Sequence, residues 1–280
     1  MYRTRIDRAT GQALTQSHAP VMVHCYVDPC ILPRLAEGGE LTVAEAFAEL
    51  LPTMPHLQSG DFGEILCFAA LQARDQALRF PLFRWRSRKS RNSTVMGVDL
   101  VGYMFAGATP STADALILAE VKTRAKKSSK KRAAEVAKLA YDGVKKDYST
   151  RLANQLLFQH KALLEEGKTL EASRIARFRN PHRAGARFRT RLVAAVVHEH
   201  ALWTDEFLDT LPEEHGTDAD EVELVLIEVD SLVQWVGEVN AAAALAAESC
   251  SDTCSGGCTP ECGRPRRRPA TESVPRNVLG

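Results

Sequence analysis

Ala115-Leu116-Ile117-Leu118-Ala119-Glu120-Val121-Lys122 is the stretch on which the fold turns. Its opening residues form an almost continuous apolar run, of the kind a strand carries when both its faces are covered. Glu120 and Lys122 then break the run near its end. Standing two apart on a strand, they project from one face, at the edge where the chain is expected to leave the sheet. Such charges are costly to desolvate unless paired, metal-bound or exposed. Alone, Glu-x-Lys reads as the solvated end of a strand, so its neighbours decide.

Upstream, residues 95–105 predict a glycine-interrupted strand holding Asp99 among Val98, Leu100, Val101, Tyr103 and Phe105, and 107–111 predict a turn. Before that, Ser59-Gly60-Asp61 suits the start of a helix with Phe62, Ile65, Leu66, Ala69 and Ala70 on its apolar face and Glu64 in its first turns. Residues 21–27 read as a strand, Thr42 with Glu45 as a capping box opening a helix through Leu51, and 82–85 as a short strand. Downstream, 130–178 predict two or three helices broken at Gly143 and Gly167, and 187–201 a further helix. Residues 221–229 predict a strand beside those bearing Asp99 and Glu120, and Asp230-Ser231 the cap of a helix over 232–248, with Leu232, Val233, Val236, Val239 and Leu245 for packing. The fold class is therefore α/β: a small mixed sheet flanked by helices, with a helical insertion at about 130–205. Residues 1–248 form one domain and 249–280 a Cys/Arg/Pro-rich tail, disordered or metal-organised.

The chain has 280 residues and a net charge of +1, which hides strong segregation. One basic run contains Arg84, Arg86, Arg88, Lys89 and Arg91, a second Lys122, Arg124, Lys126 and Lys127, and a third extends from Arg174 to Arg191, whereas 205–228 is acidic. That asymmetry suits a polyanion on one face, with Arg84 to Arg91 and Arg124 to Lys127 on phosphates. Trp85 suits base stacking and core packing equally. No apolar run is long enough to span a bilayer and the N-terminus lacks a secretory pattern, so a cytoplasmic location is expected. Cys25, Cys30 and Cys67 lie in apolar segments where buried thiols are common.

Two carboxylates at neighbouring strand ends suit Mg²⁺ or Mn²⁺, which take hard oxygen ligands and leave positions for water and phosphate. Asp99 and Glu120 have that character; Lys122 is placed to orient the attacking water, and Glu64 to add a ligand. The order helix with Glu64, strand with Gly97-Val98-Asp99, turn, strand ending Ala119-Glu120-Val121-Lys122, then helix, resembles the PD-(D/E)xK nuclease core. Val98 stands where that pattern has proline. Gly60-Asp61-Phe62-Gly63-Glu64-Ile65-Leu66, Gly97-Val98-Asp99 and Leu118-Ala119-Glu120-Val121-Lys122-Thr123 resemble the HamA nuclease family of the Hachiman anti-phage defence system, from about residue 20 to 245. This resemblance implies a restriction-endonuclease-like core and a DNA-cleaving effector, restrained by a helicase partner. Alternatives are a stand-alone restriction or repair nuclease, and a non-catalytic nucleic-acid-binding subunit.

Cys250, Cys254, Cys258 and Cys262 recur every fourth residue, which leaves zinc or iron–sulfur binding and an unstructured tail both open. His198-Glu199-His200 on a helix would point its histidines apart, unlike the zinc-binding His-Glu-x-x-His. No phosphate-binding Gly-x-x-x-x-Gly-Lys or dinucleotide fingerprint occurs, so any nucleotide-driven motor resides on another chain.

Overall fold

The computed structural model describes residues 1–37, 41–81, 84–95, 97–107, 109, 111–125, 130–180, 188–210 and 222–254. A 5-stranded mixed sheet runs in the order β1 (Tyr2–Ile6), β5 (Val222–Val229), β4 (Arg189–Glu199), β3 (Ala115–Arg124), β2 (Leu100–Met104). Only β2, at one edge, is antiparallel to its neighbour. Helices α1 (Arg8–Tyr26), α4 (Pro55–Arg74) and α8 (Leu232–Cys254) share a core with one face. Helices α5 (Lys130–Thr150), α6 (Leu152–Glu165) and α7 (Thr169–Ala176) share a core with the other. The short helices α2 (Leu32–Ala36) and α3 (Val43–Ala48) join the first layer beside α8. The expected α/β class is observed.

Strand β3 has the predicted character. Ile117, Ala119 and Val121 enter the α4-side core, and Leu116 and Leu118 the α5-side core. It does not end at Glu120 and Lys122, however, but continues to Arg124, because β4 pairs with it up to Arg124↔His198. Gly63 allows α4 to approach: a Cβ there would lie 1.9 Å from the Thr123 Oγ1. The capping box is formed, Thr42 Oγ1 accepting from the Glu45 amide at 3.2 Å and Glu45 from the Thr42 amide at 2.7 Å, although α3 stops at Ala48.

Several local expectations give way to packing. Residues 21–27, read as a strand, mostly belong to α1, because Ala19, Met22, Val23 and Tyr26 recur with helical spacing and are buried, and α1 lies against α8. The expected helix at 187–201 is strand β4: Leu192 to Val197 is apolar at every position and is buried between β3 and β5 with helices on both faces. The helical insertion is therefore the crossover from β3 to the parallel β4 and its described helices end at Ala176. Strand β5 joins the sheet beside β4 and β1, one strand away from β3. Gly143 lies within α5 rather than breaking it, whereas Gly167, at φ 73°, does separate α6 from α7. Pro55 opens α4 at its first turn, where a missing N–H costs nothing, so Glu64 lies mid-helix. Residues 84–87 form a 3₁₀ turn and not a strand, and α8 runs past residue 248 to Cys254, with Val233 and Leu245 exposed.

Candidate active site

The edge strand β2 is paired so that Leu100 faces Ala119, and Asp99, one residue before the strand, reaches the level of Glu120. Asp99 Oδ2 accepts from the Val121 amide at 2.9 Å, which ties the acid to the strand carrying Glu-x-Lys. Glu120 and Lys122 project toward α5, and the Lys122 ammonium is ion-paired with Glu120. Gly143 makes room for this: a Cβ there would lie 2.8 Å from Glu120 Cγ. Helix α4 brings Glu64 from the opposite layer, buried at 8% exposure.

The groups hold one another electrostatically. Burial and the nearby charge of Asp99 push Glu120 up to about 7, against the pull of Lys122. Burial and Asp99 likewise raise Glu64 well above the usual carboxylate range, with Arg84 opposing. Burial would lower Lys122, but Glu120 outweighs it and the ammonium is raised. Asp147, one turn after Gly143 on α5, is a further acid that the sequence reading missed. It is buried at 2% exposure, paired with Arg151 at 3.0 Å, and raised by burial. Only its i, i+4 spacing from a glycine against the site could have signalled it.

The basic run largely turns inward. Arg84 bonds Asp99 Oδ1 at 2.5 Å through Nη1 and the Val95 carbonyl at 3.0 Å through Nη2, while its Nε lies 3.3 Å from Glu64 Oε2. Arg86 donates to the His24 carbonyl, Arg88 to Asp61 at 2.7 Å, and Arg91 to the Leu51 carbonyl at 3.0 Å and Glu49 at 2.8 Å. Asp61 also receives the Tyr26 hydroxyl, so the Gly60–Glu64 segment supplies a structural acid as well as a site acid. Lys89 is exposed. Trp85 is in the core. Arg124 is half-buried, and Lys126 and Lys127 lie outside the described residues.

The structure thus ties Asp99 to the strand carrying the Glu120–Lys122 ion pair and joins Glu64 to Asp99 through Arg84. No three His, Cys, Asp or Glu side chains among the described residues converge enough to hold an ion by themselves. Cys250 is half-buried on α8, which also carries Cys254; Cys258 and Cys262 lie outside the described residues. Cys25 and Cys67 are buried free thiols, but Cys30 is half-buried and disulfide-bonded. His198 to His200 is the end of β4 and a following 3₁₀ turn, not a helix. His198 is buried, and His200 is paired with Glu228 at 2.7 Å. Among the described residues no helix is long and apolar enough to cross a membrane.

A family model described as HamA matches residues 19–242, which include every residue of this site. No curated protein matches the sequence.

Proposed function

The chain belongs to the HamA family, and from that premise we propose that it is a Mg²⁺-dependent deoxyribonuclease of PD-(D/E)xK type, the effector of a Hachiman anti-phage defence complex with a helicase partner. The observation that carries this reading is the juxtaposition of Asp99, just before β2, with buried Glu120 and half-buried Lys122 on β3, where the Glu120 carboxylate is costly to bury and is pushed up by Asp99. The donor set fits a hard cation. Asp99 and Glu120 offer carboxylate oxygens at one sheet edge, Asp147 Oδ2 is buried without a hydrogen-bond partner among the described residues, and Glu64 Oε2 has the Arg84 Nε beside it at 3.3 Å without a hydrogen bond. A divalent cation bound there supplies neutralisation of phosphate charge and a more acidic water.

The chain's own residues provide the rest. Asp99, fixed by the Val121 amide, and Glu120, seated against Gly143, would be the carboxylates that hold such a cation. Lys122, half-buried beside Glu120, orients the attacking water by its ammonium and stabilises charge on the phosphate oxygens as the bond to the leaving oxygen breaks. Lys89 and Arg124 supply phosphate contacts that give affinity and little sequence preference.

The test is DNA cleavage with Mg²⁺ by the chain, alone and with its helicase partner. Asp99→Ala and Lys122→Ala are each expected to lower the rate at least about a hundredfold. Wild-type rates in both variants would overturn the assignment.

A further inference from the structure

We propose that Arg84 is a built-in counter-cation: its guanidinium occupies the place beside Asp99 and Glu64 that a divalent cation requires, and must be displaced before that cation binds. The proposal rests on the metal-dependent reading and adds regulation of the same site.

Three elements converge on this side chain. Arg84 comes from the 3₁₀ turn, Asp99 from the start of β2, and Glu64 from α4. The side chain is 16% exposed, with Nη1 at 2.5 Å from Asp99 Oδ1 and Nε at 3.3 Å from Glu64 Oε2. The other oxygen of Asp99 is committed to the Val121 amide, so both its oxygens have partners. A guanidinium suits this role because its delocalised charge and planar fork serve two carboxylates at once without deprotonating. Arg84 stands between Asp99 and Glu64, and Lys122 pairs with Glu120, so each of these three acids faces a cationic side chain.

A divalent cation at Asp99 and the guanidinium would repel each other at close range in a poorly solvated site. The neighbouring space gives the guanidinium somewhere to go. A small pocket of about 80 Å³ is bordered by Arg84, Asp99, Gln155 and Glu166, the last of which is paired with Lys168 at 2.7 Å and puts a carboxylate at its rim. Buried Trp85 anchors the turn, so release takes rotation of the Arg84 side chain with loss of its bonds to Asp99 and the Val95 carbonyl. Metal binding is then held back in the resting chain, which limits cleavage.

The test measures Mn²⁺ binding by calorimetry to the 280-residue chain without DNA. Arg84→Met is expected to bind about tenfold tighter than wild type, Arg84→Lys close to wild type, and Glu120→Gln far more weakly. Equal affinities for Arg84→Met and wild type, with Glu120→Gln still weakened, would overturn the role of Arg84 and leave the metal reading standing. Binding that is absent throughout, or indifferent to Glu120→Gln, would overturn the metal reading and this proposal together. Should Arg84→Met fail to fold, the Arg84 Nε–H resonance of the wild-type chain, titrated with Mg²⁺, decides: it is expected to shift as the ion pair breaks. A resonance that stays in place while Mg²⁺ binds is the contrary result.

Discussion

Gly143 does for the site what no charged residue does, because its missing Cβ is the space that Glu120 fills against α5. On an exposed helix, replacing such a glycine with alanine would gain about 1 kcal/mol. Here the added carbon would meet Glu120 Cγ at 2.8 Å and push the carboxylate off its position. Gly143→Ala is therefore expected to cut DNA cleavage at least about tenfold while moving the melting temperature by only a few degrees. Thermal denaturation run beside a cleavage assay checks this, and unimpaired cleavage would contradict it. At this scale Asp99, Glu120 and Lys122 were legible as charges in apolar surroundings. Asp147 and the inward turn of Arg84 were not, since a single acid or arginine in a polar stretch reads as a solvated residue until its neighbours are known.

Elements show the same division more sharply at β4 and α8. Leu192 to Val197 reads as helix or strand with equal ease, and its place between β3 and β5 decided for strand. That decision reassigned Glu199, which had been expected on a helix. Its carboxylate accepts from the Ser231 amide at 3.1 Å and the Leu232 amide at 2.7 Å, capping α8 across a separation of over thirty residues in sequence. Asp230 and Ser231 were expected to cap this helix; instead Ser231 takes φ 61° to present its amide, and Asp230 pairs with Arg5 at 3.2 Å. A carboxylate at a helix N-terminus satisfies orphan amides and the helix dipole together. Glu199→Ala is expected to lower unfolding free energy by about 1–2 kcal/mol. A urea midpoint unchanged from wild type would refute the cap.

Over the whole molecule, buried carboxylates pull in two directions with pH. Burial disfavours the charge on Asp114, but the Ala106 amide at 2.6 Å, the Ser111 amide at 2.9 Å and Arg177 outweigh it and hold the group below its ordinary range. Burial likewise opposes Glu223, and Arg74 and Arg191 outweigh it, tying α4, β4 and β5 together. A depressed carboxylate stabilises the fold fully above its unfolded pKa of about 4 and loses that contribution as pH falls through the lower folded value. Asp114→Asn with Glu223→Gln is expected to be less stable than wild type at pH 7, with a shallower fall between pH 5 and 2. Parallel stability curves would count against this account. Glu120 acts with the opposite sign: pushed up to about 7, it costs stability as pH rises toward that value, which is the tension expected of a site built for chemistry.

Residue order was sufficient for the α/β class, the covered strand β3 and the meeting of Asp99 with Glu120 and Lys122 at neighbouring strands, because covered strands and charges in apolar runs leave marks that need no partner to be seen. It also carried membership of the HamA family, whose model matches residues 19–242. Edge strand β1 was missed: Tyr2 to Ile6 alternates exposed and half-buried residues, and only pairing with β5 makes it a strand. Packing was equally needed to make residues 21–26 the end of a helix, to order β5 beside β4, and to turn the arginines of the first basic run toward Asp99, Asp61 and backbone carbonyls. Propensity within a short window is worth tenths of a kcal/mol per residue, whereas burying an apolar face or pairing a buried charge is worth several times that. Where the two disagree, the partner across space prevails.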